Sequence, residues 1–287
     1  MTTPATEGVV LVDKPAGMTS HDVVAVARRA LMLRRIGHAG TLDPFATGLL
    51  VLVIGRATRL VRFLDLEPKV YQATVRFGAE TATDDATGAV TRTAPPPDRQ
   101  AVDRALPSLT GCLMQVPPAY SAKQVGGRRA YDAARRGEPI SLAPTAVTVH
   151  GWQLTAWHGD AMEATITCSG GTYVRALARD LGRLAGSAAH LGALRRLRCG
   201  RLDVRDAASL AALQDGHAPL HPTLSALPPL PLERLVPEDA GRVAHGMAVA
   251  ASQPGERAGL VDESGALIAL AERVQDRWQP RVVLRDA

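Results

Sequence analysis

Apolar residues along the chain fall into two kinds of run, and each predicts a different element. Residues 8–12 (GVVLV) and 49–55 (LLVLVIG) are continuous apolar stretches of strand length. They read as a short apolar strand and as a buried strand closed by glycine. Residues 70–77 alternate instead, with Tyr71, Ala73, Val75 and Phe77 on one face and Gln72, Thr74 and Arg76 on the other, the pattern of a half-buried strand. Residues 161–169 predict a further strand. Helical spacing appears at Val23, Val24, Ala27, Ala30 and Leu31, after a turn (residues 13–20, DKPAGMTS) that ends in capping residues; Arg28, Arg29, Arg34 and Arg35 give this helix a basic end. Val174, Leu177, Leu181 and Leu184 mark the face of a second helix, after a break at Gly170-Gly171-Thr172. Residues 81–97 are polar and proline-rich and read as a loop, and residues 101–109 as a short amphipathic helix.

A smaller unit is predicted at the C-terminal end. Residues 216–237 hold six prolines, too many for a long regular element, and read as a linker. Beyond it, residues 242–250, 258–261, 266–270 and 281–284 are strand-like, with residues 262–265 (DESG) as a hairpin turn. The expected division is a large domain over 1–230 and a small β domain over 231–287.

Composition narrows the class. With 287 residues, 46% of them hydrophobic, the chain can bury a sizeable core, and its net charge of +5 favours acidic partners. Nearly all of the basic residues are arginines, which suit bidentate phosphate contacts; the only lysines are Lys14, Lys69 and Lys123. Cys112, Cys168 and Cys199 are odd in number and far apart, as expected in a reducing cytoplasm. The first residues lack a basic region followed by an apolar core, and no apolar stretch reaches the ~18 to 20 residues that span a bilayer, so a cytoplasmic protein without membrane contact is expected.

The candidate chemistry centres on residues 37–48 (GHAGTLDPFATG). Pro44 disfavours the α region for Asp43, and the glycines permit turns, so this loop can present one carboxylate rigidly just outside the core. Taken alone, the Asp-Pro pair points rather to Asp43 capping a short helix with Pro44 at its first position, an arrangement compatible with catalysis. His38 lies five residues before it, as a structural or a functional histidine. Arg175, Arg179 and Arg183 are spaced by four on the second helix; a solvated face suits Arg179 and Arg183, whereas a cation in the first turn, at Arg175, is poorly placed for the helix dipole and suggests another partner. Residues 190–198 (HLGALRRLR) alternate apolar and basic and suit either a phosphate-tracking strip or an exposed basic edge. Tyr71 can be core or a stacking ring, with Lys69 two residues earlier. No His/Cys/Asp/Glu cluster has metal-ligand spacing, and neither a phosphate-cradling nor a dinucleotide fingerprint occurs, so neither metal nor cofactor is expected.

Taken together, these segments resemble the bacterial TruB-type tRNA pseudouridine synthases over most of residues 8–205. Residues 13–20 resemble the first motif of that family and residues 37–48 its catalytic motif, which implies Asp43 as the catalytic residue. Lys69-Val70-Tyr71 resembles the segment with the active-site tyrosine. Residues 169–175 (SGGTYVR), with Tyr173, resemble the one whose arginine, here Arg175, pairs with the aspartate, and residues 190–196 the one whose leucine, here Leu194, lies against the base. By the same resemblance His38 supports the flipped-out RNA loop, and residues 116–122 (VPPAYSA) with Tyr131 match a further segment. Two departures stand out: Gln124 occupies a place where the family would have a lysine, with Lys123 one position earlier, and the tail after Pro237 is short for the RNA-binding PUA domain of that family.

The resemblance implies an α+β fold, a mixed and largely antiparallel sheet with flanking helices, followed by a small PUA-like β domain. It also implies an isomerase that converts one uridine in the T loop of tRNA, position 55, to pseudouridine, as a monomer without an obligate protein partner. The residues agree with that chemistry. Uracil must leave its ribose, turn and reattach through carbon, a redox-neutral change for which a carboxylate suffices as nucleophile or base. The nucleotide must be extruded to be reached, then held by Tyr71, Tyr173 and Leu194. Lys14, Lys69, Lys123, Arg195 and Arg196 are the expected backbone contacts. Two other readings compete: a pseudouridine synthase acting on another RNA, and an RNA-binding or RNA-folding protein without chemistry.

Overall fold

In the computed structural model the described residues are 7–284, apart from 122, 127, 137 and 139. The strands and helices of the larger part are β1 (Gly8–Lys14), α1 (Ser20–Ala30), β2 (Ile36–Ala39), β3 (Thr47–Ile54), β4 (Lys69–Phe77), β5 (Ala79–Thr81), β6 (Val90–Thr93), α2 (Arg99–Ala105), β7 (Gly111–Gln115), β8 (Gln124–Val125), β9 (Arg128–Arg129), α3 (Ala130–Arg135), β10 (Thr145–His158), β11 (Ala161–Cys168), α4 (Val174–Leu184), β12 (Ala189–Cys199), β13 (Leu202–Asp203), β14 (Ala208–Ser209) and α5 (Leu210–Gln214), with a 3-10 helix at Gly55–Phe63. The central sheet runs β14-β1-β3-β12-β4-β11-β10-β7. Its pairs are antiparallel except β1 with β14 and β3 with β12. The α+β class with a mixed, largely antiparallel sheet therefore holds.

The continuous apolar runs are explained by burial on both faces. Leu50, Leu52 and Ile54 of β3 pack with Val23, Val24 and Ala27 of α1, while Leu49, Val51 and Val53 pack with Cys199 and Leu202. On β4 the alternation holds residue by residue: Tyr71, Ala73, Val75 and Phe77 are buried, joining Leu177 and Leu181 of α4 in the main core. Leu184, expected on that face, is exposed at the end of α4.

The site owes its place to the way β3 shares an edge. One side of β3 is taken by β1 along its length; on the other, β12 pairs at Thr47 and Gly48, and β2 pairs from Val51 to Ile54. The connection between β2 and β3, residues 40–46, thus leaves the sheet where one neighbour gives way to the other. His38, expected in the glycine loop, lies one step earlier on β2 itself, opposite Leu52.

A second sheet follows, ordered β15 (Leu232–Arg234), β17 (Arg257–Val261), β18 (Leu267–Val274), β19 (Arg277–Val283) and β16 (Val249–Ala250), with α6 at Pro237–Ala244. The hairpin at residues 262–265 is present, with Asp262 N donating to Ala266 O at 3.0 Å. Of residues 242–250 only Val249–Ala250 is strand: α6, started by Pro237 and Glu238, occupies the first of them. The proline-rich stretch is more ordered than a linker. Its 3-10 turn Thr223–Ala226 and Leu227 pack inward, and Leu227 joins Leu60 of the 3-10 helix Gly55–Phe63 and Leu270, Val282 and Leu284 in a core shared by that helix and the second sheet. Leu60→Ala, which empties the centre of that shared core, is expected to lower unfolding free energy by about 2–5 kcal/mol in urea denaturation.

Candidate active site

Asp43 follows Leu42, whose backbone is clamped by the buried Ser20: Leu42 N donates to Ser20 Oγ at 2.9 Å, and Ser20 Oγ donates to Leu42 O at 3.2 Å. Ser20 is fixed in turn because it opens α1, behind a capping box in which Thr19 Oγ1 accepts from Asp22 N and Asp22 Oδ2 from Thr19 N. On the other side of the loop, Lys14 Nζ donates to Pro15 O, Met18 O and Pro44 O at 2.9, 2.7 and 3.4 Å. Lys14 is fully buried. Burial pulls its pKa down to about 8, with Asp43 the leading opposing influence. Arg196, also buried, donates to Leu49 O, Gly40 O and Thr41 O at 2.7, 2.8 and 3.4 Å. Two of the cations expected on the RNA backbone, Lys14 and Arg196, therefore sit inside the protein with their donors turned to carbonyls of the catalytic loop and its flanks.

Gly48 makes this packing possible. Its φ is +98°, and a Cβ there would lie 2.2 Å from the backbone oxygen of Arg196. Gly48→Ala is expected to cost at least about 2 kcal/mol in urea unfolding, from left-handed strain and from pushing β3 and β12 apart.

No helix follows Asp43, so it is not a helix cap, and its carboxylate has a different partner. Arg175 Nη2 donates to Asp43 Oδ1 at 3.0 Å, and Arg175 Nε lies 2.9 Å from Oδ2, an ionic contact without an aligned hydrogen bond. The guanidinium thus faces both carboxylate oxygens. Its remaining bonds run to Thr83 O and Tyr120 O, at 2.9 and 3.0 Å, and Asp85 Oδ2 lies 3.5 Å from Nη1. Arg175 is buried, whereas the Asp43 side chain keeps 35% of its surface exposed, so one side of the ion pair faces solvent. Burial nevertheless raises the Asp43 pKa above 3.8; Arg175 opposes the shift and Asp85 adds to it.

Asp84 and Asp85 were not singled out in the sequence, where their loop reads as merely polar. The density of Thr, Asp and Gly over residues 81–88 is the available signal, because these residues bond their own backbone in tight turns. Here Asp85 Oδ1 accepts from Thr83 Oγ1, Thr87 N and Thr87 Oγ1 at 2.7, 2.9 and 2.6 Å. Asp84 pairs with Arg179 at 2.8 Å, and Arg179 also donates to Val116 O at 3.0 Å. Arg179 is buried, which corrects its expected place on a solvated face. Arg183 is more than half exposed and pairs with Glu80 at 2.6 Å.

Other expected residues gather around this pair. Tyr71 and Leu194 belong to the core cluster that also holds Leu42 and Ala46, directly under the loop, and burial pushes the Tyr71 phenol up to about 12. Tyr173 caps α4 with its backbone, exchanging hydrogen bonds with the Gln115 side chain at 2.8 and 3.1 Å, and burial raises its phenol pKa. Lys69 is half-buried, its Cε 3.8 Å from where a Cβ on Gly40 would stand. His38, on β2, has its ring 5.2 Å from that of His21 and nearly perpendicular to it; burial lowers its pKa. Two residues stand apart. Arg195 points away from Arg196 and pairs in bidentate fashion with Asp13 at 2.9 and 2.7 Å, and Lys123 precedes the β8-β9 hairpin. Gln124 is exposed on that hairpin, and the side chain of Tyr131 lies outside the described residues. Among the described residues no group of three or more His, Cys, Asp or Glu could hold a metal ion, and no helix is long and apolar enough to cross a membrane.

The chain has direct counterparts among known proteins. Residues 28–174 match the N-terminal domain of the TruB family pseudouridylate synthases, and residues 175–236 match the tRNA pseudouridylate synthase B C-terminal domain. The chain belongs to the TruB family of pseudouridine synthases. It is 45% identical to the tRNA pseudouridine synthase B of Thermobifida fusca (strain YX), over 96% of this chain and 98% of that one. To the protein of the same name from Cutibacterium acnes it is also 45% identical, over 92% of each. Among solved structures it resembles a chain of a Cbf5-Nop10-Gar1 complex, with a TM-score of 0.70 at 22% identity, covering 97% of this chain and 85% of that one. A chain of an H/ACA RNP bound to a substrate RNA containing 2'-deoxyuridine gives the same TM-score at 20% identity, over 99% and 92%. These structural likenesses bear on the fold.

Proposed function

We propose that this pseudouridine synthase acts on tRNA in the cytoplasm, isomerising the uridine at position 55 of the T loop with Asp43 as the attacking or proton-abstracting carboxylate. The observation that carries the reading is the Asp43–Arg175 pair. A guanidinium facing both oxygens fixes the plane of the carboxylate, and the exposed side of Asp43 leaves room for an extruded nucleotide. In this reading Tyr71, Tyr173 and Leu194 offer apolar surface to the base, and Lys69 and Lys123 take phosphates, while Arg195 does so only by leaving its pair with Asp13. Residues 231–287 serve as a PUA-like RNA-binding unit in this reading. The test is turnover of an isolated T-arm hairpin: stoichiometric conversion of its target uridine supports the reading, and binding without conversion at any enzyme concentration contradicts it.

The raised pKa of Asp43 sets the pH dependence. Only the carboxylate can attack or abstract a proton, and a raised pKa means that the carboxylate is lost earlier on acidification. The single-turnover rate at saturating RNA is expected to fall through an apparent pKa above 3.8, with no loss of RNA binding.

A further inference from the structure

Helix α1 ends in a way that breaks a local rule. Leu33 N donates to Arg28 O at 3.2 Å and Met32 N to Arg29 O at 3.3 Å, the pair of bonds that defines a Schellman turn, with Met32 at the left-handed position and φ of 51°. Glycine is favoured there because a Cβ is strained in that conformation. A large side chain would be explained by packing, but Met32 is 90% exposed, the most exposed of the large hydrophobic residues among those described. The turn around it is well anchored: Arg28 Nη2 donates to Ile36 O at 2.9 Å, and Gly55 N donates to Arg35 O at 2.8 Å. The methionine is therefore held outward on a fixed support.

Charge points to what meets it. Arg29, Arg34 and Arg35 surround Met32, all exposed, and among the described residues none of their side chains has an ion-pair or hydrogen-bond partner. Elsewhere on the surface Arg183, Arg195, Arg201 and Arg257 each sit beside a carboxylate. No acidic residue occurs between Asp22 and Asp43 to neutralise the cluster. From this turn β2 runs directly to the catalytic loop, a four-residue strand of about 13 Å. One folded RNA can touch both.

We propose that the α1-β2 turn is a second contact for the substrate RNA, in which Arg29, Arg34 and Arg35 take backbone phosphates and Met32 packs against a sugar or base edge between them. This rests on the reading of the chain as a tRNA-modifying enzyme. It explains the rule-breaking methionine as a residue kept for binding at the expense of local stability.

The test uses the full chain and an unmodified full-length tRNA transcript, with Kd measured over a series of salt concentrations, Tm recorded, and single-turnover pseudouridine formation followed at saturating RNA. The triple variant Arg29→Gln, Arg34→Gln, Arg35→Gln is expected to bind at least about tenfold more weakly, with a log–log salt slope shallower by about 2 to 3. Met32→Gly is expected to raise Tm yet weaken binding by about threefold or more. Both should keep the saturated rate within about twofold of the parent. Unchanged Kd and slope in the triple variant, in an enzyme that does form pseudouridine, would overturn the contact and leave the function standing. If the parent forms no pseudouridine but the triple variant still loses RNA affinity and slope, the function falls and the contact stands. A Met32→Gly variant with higher Tm and unaltered affinity would remove the methionine from the contact.

Discussion

Asp43→Asn is expected to abolish pseudouridine formation while leaving tRNA affinity within a few-fold of the parent. The amide keeps the shape of the carboxylate and its place between Leu42 and Pro44, and it can still accept a hydrogen bond from Arg175 Nη2. It loses the charge and the nucleophilic or basic oxygen, without which neither attack nor proton abstraction is available. Little unfolding should accompany the change, because the loop is held by Ser20, Lys14 and Arg196 through its backbone. Single-turnover assays at saturating RNA, with binding measured separately, check this; residual turnover within tenfold of the parent would contradict the assignment.

Arg175→Lys is expected to lower the rate constant on bound RNA by at least about tenfold with little change in affinity, corresponding to about 1.4 kcal/mol of lost transition-state stabilisation. A lysine ammonium is one mobile point of charge. It cannot face both oxygens of Asp43 while also bonding Thr83 O and Tyr120 O, as the guanidinium does. The loss should therefore fall on the aim of Asp43 and on the two loops that flank it. Arg179 cannot serve as a silent control, since it is buried between Asp84 and Val116 O, and removing one member of such a pair is strongly destabilising. Arg183, paired with Glu80 and more than half exposed, is the proper control, and Arg183→Lys should be within about twofold of the parent. Equal effects at 175 and 183, or a defect at 175 confined to binding, would mean that Arg175 does not act through Asp43.

Much of this was legible in the chain where a local pattern and the tertiary environment agree. The alternation of β4 survives because one of its faces meets α4, and the uninterrupted apolar run of β3 reflects helices and strands on both sides. The start of α4, and with it Arg175, follows from the glycine break. Three features were not legible, each for a physical reason. Lys14 and Arg196 look like surface charges in sequence, yet the loop over them leaves carbonyl oxygens that need donors, and a buried cation supplies several at once. Arg196 is carried inward because β12 shifts register between Leu191 and Ala193, after which Leu194 and Arg196 lie on the inward face opposite Ala73 and Tyr71. Asp84 and Asp85 act at the site only because their loop is stitched to Leu191 of β12, a contact no local pattern encodes. The last residues of α6 read as the start of a strand over 242–250 because Val243 and Val249 are β-branched, whereas Pro237 and the acidic first turn at Glu238 and Asp239 are the stronger signal, for a helix.

The most direct test of the central claim is nucleotide-resolution mapping of pseudouridine in an unmodified tRNA transcript after incubation with the parent enzyme and, in parallel, with Asp43→Asn. A single new pseudouridine at position 55 is expected with the parent and none with the variant. Modification at another position, or equal modification by both proteins, would contradict it.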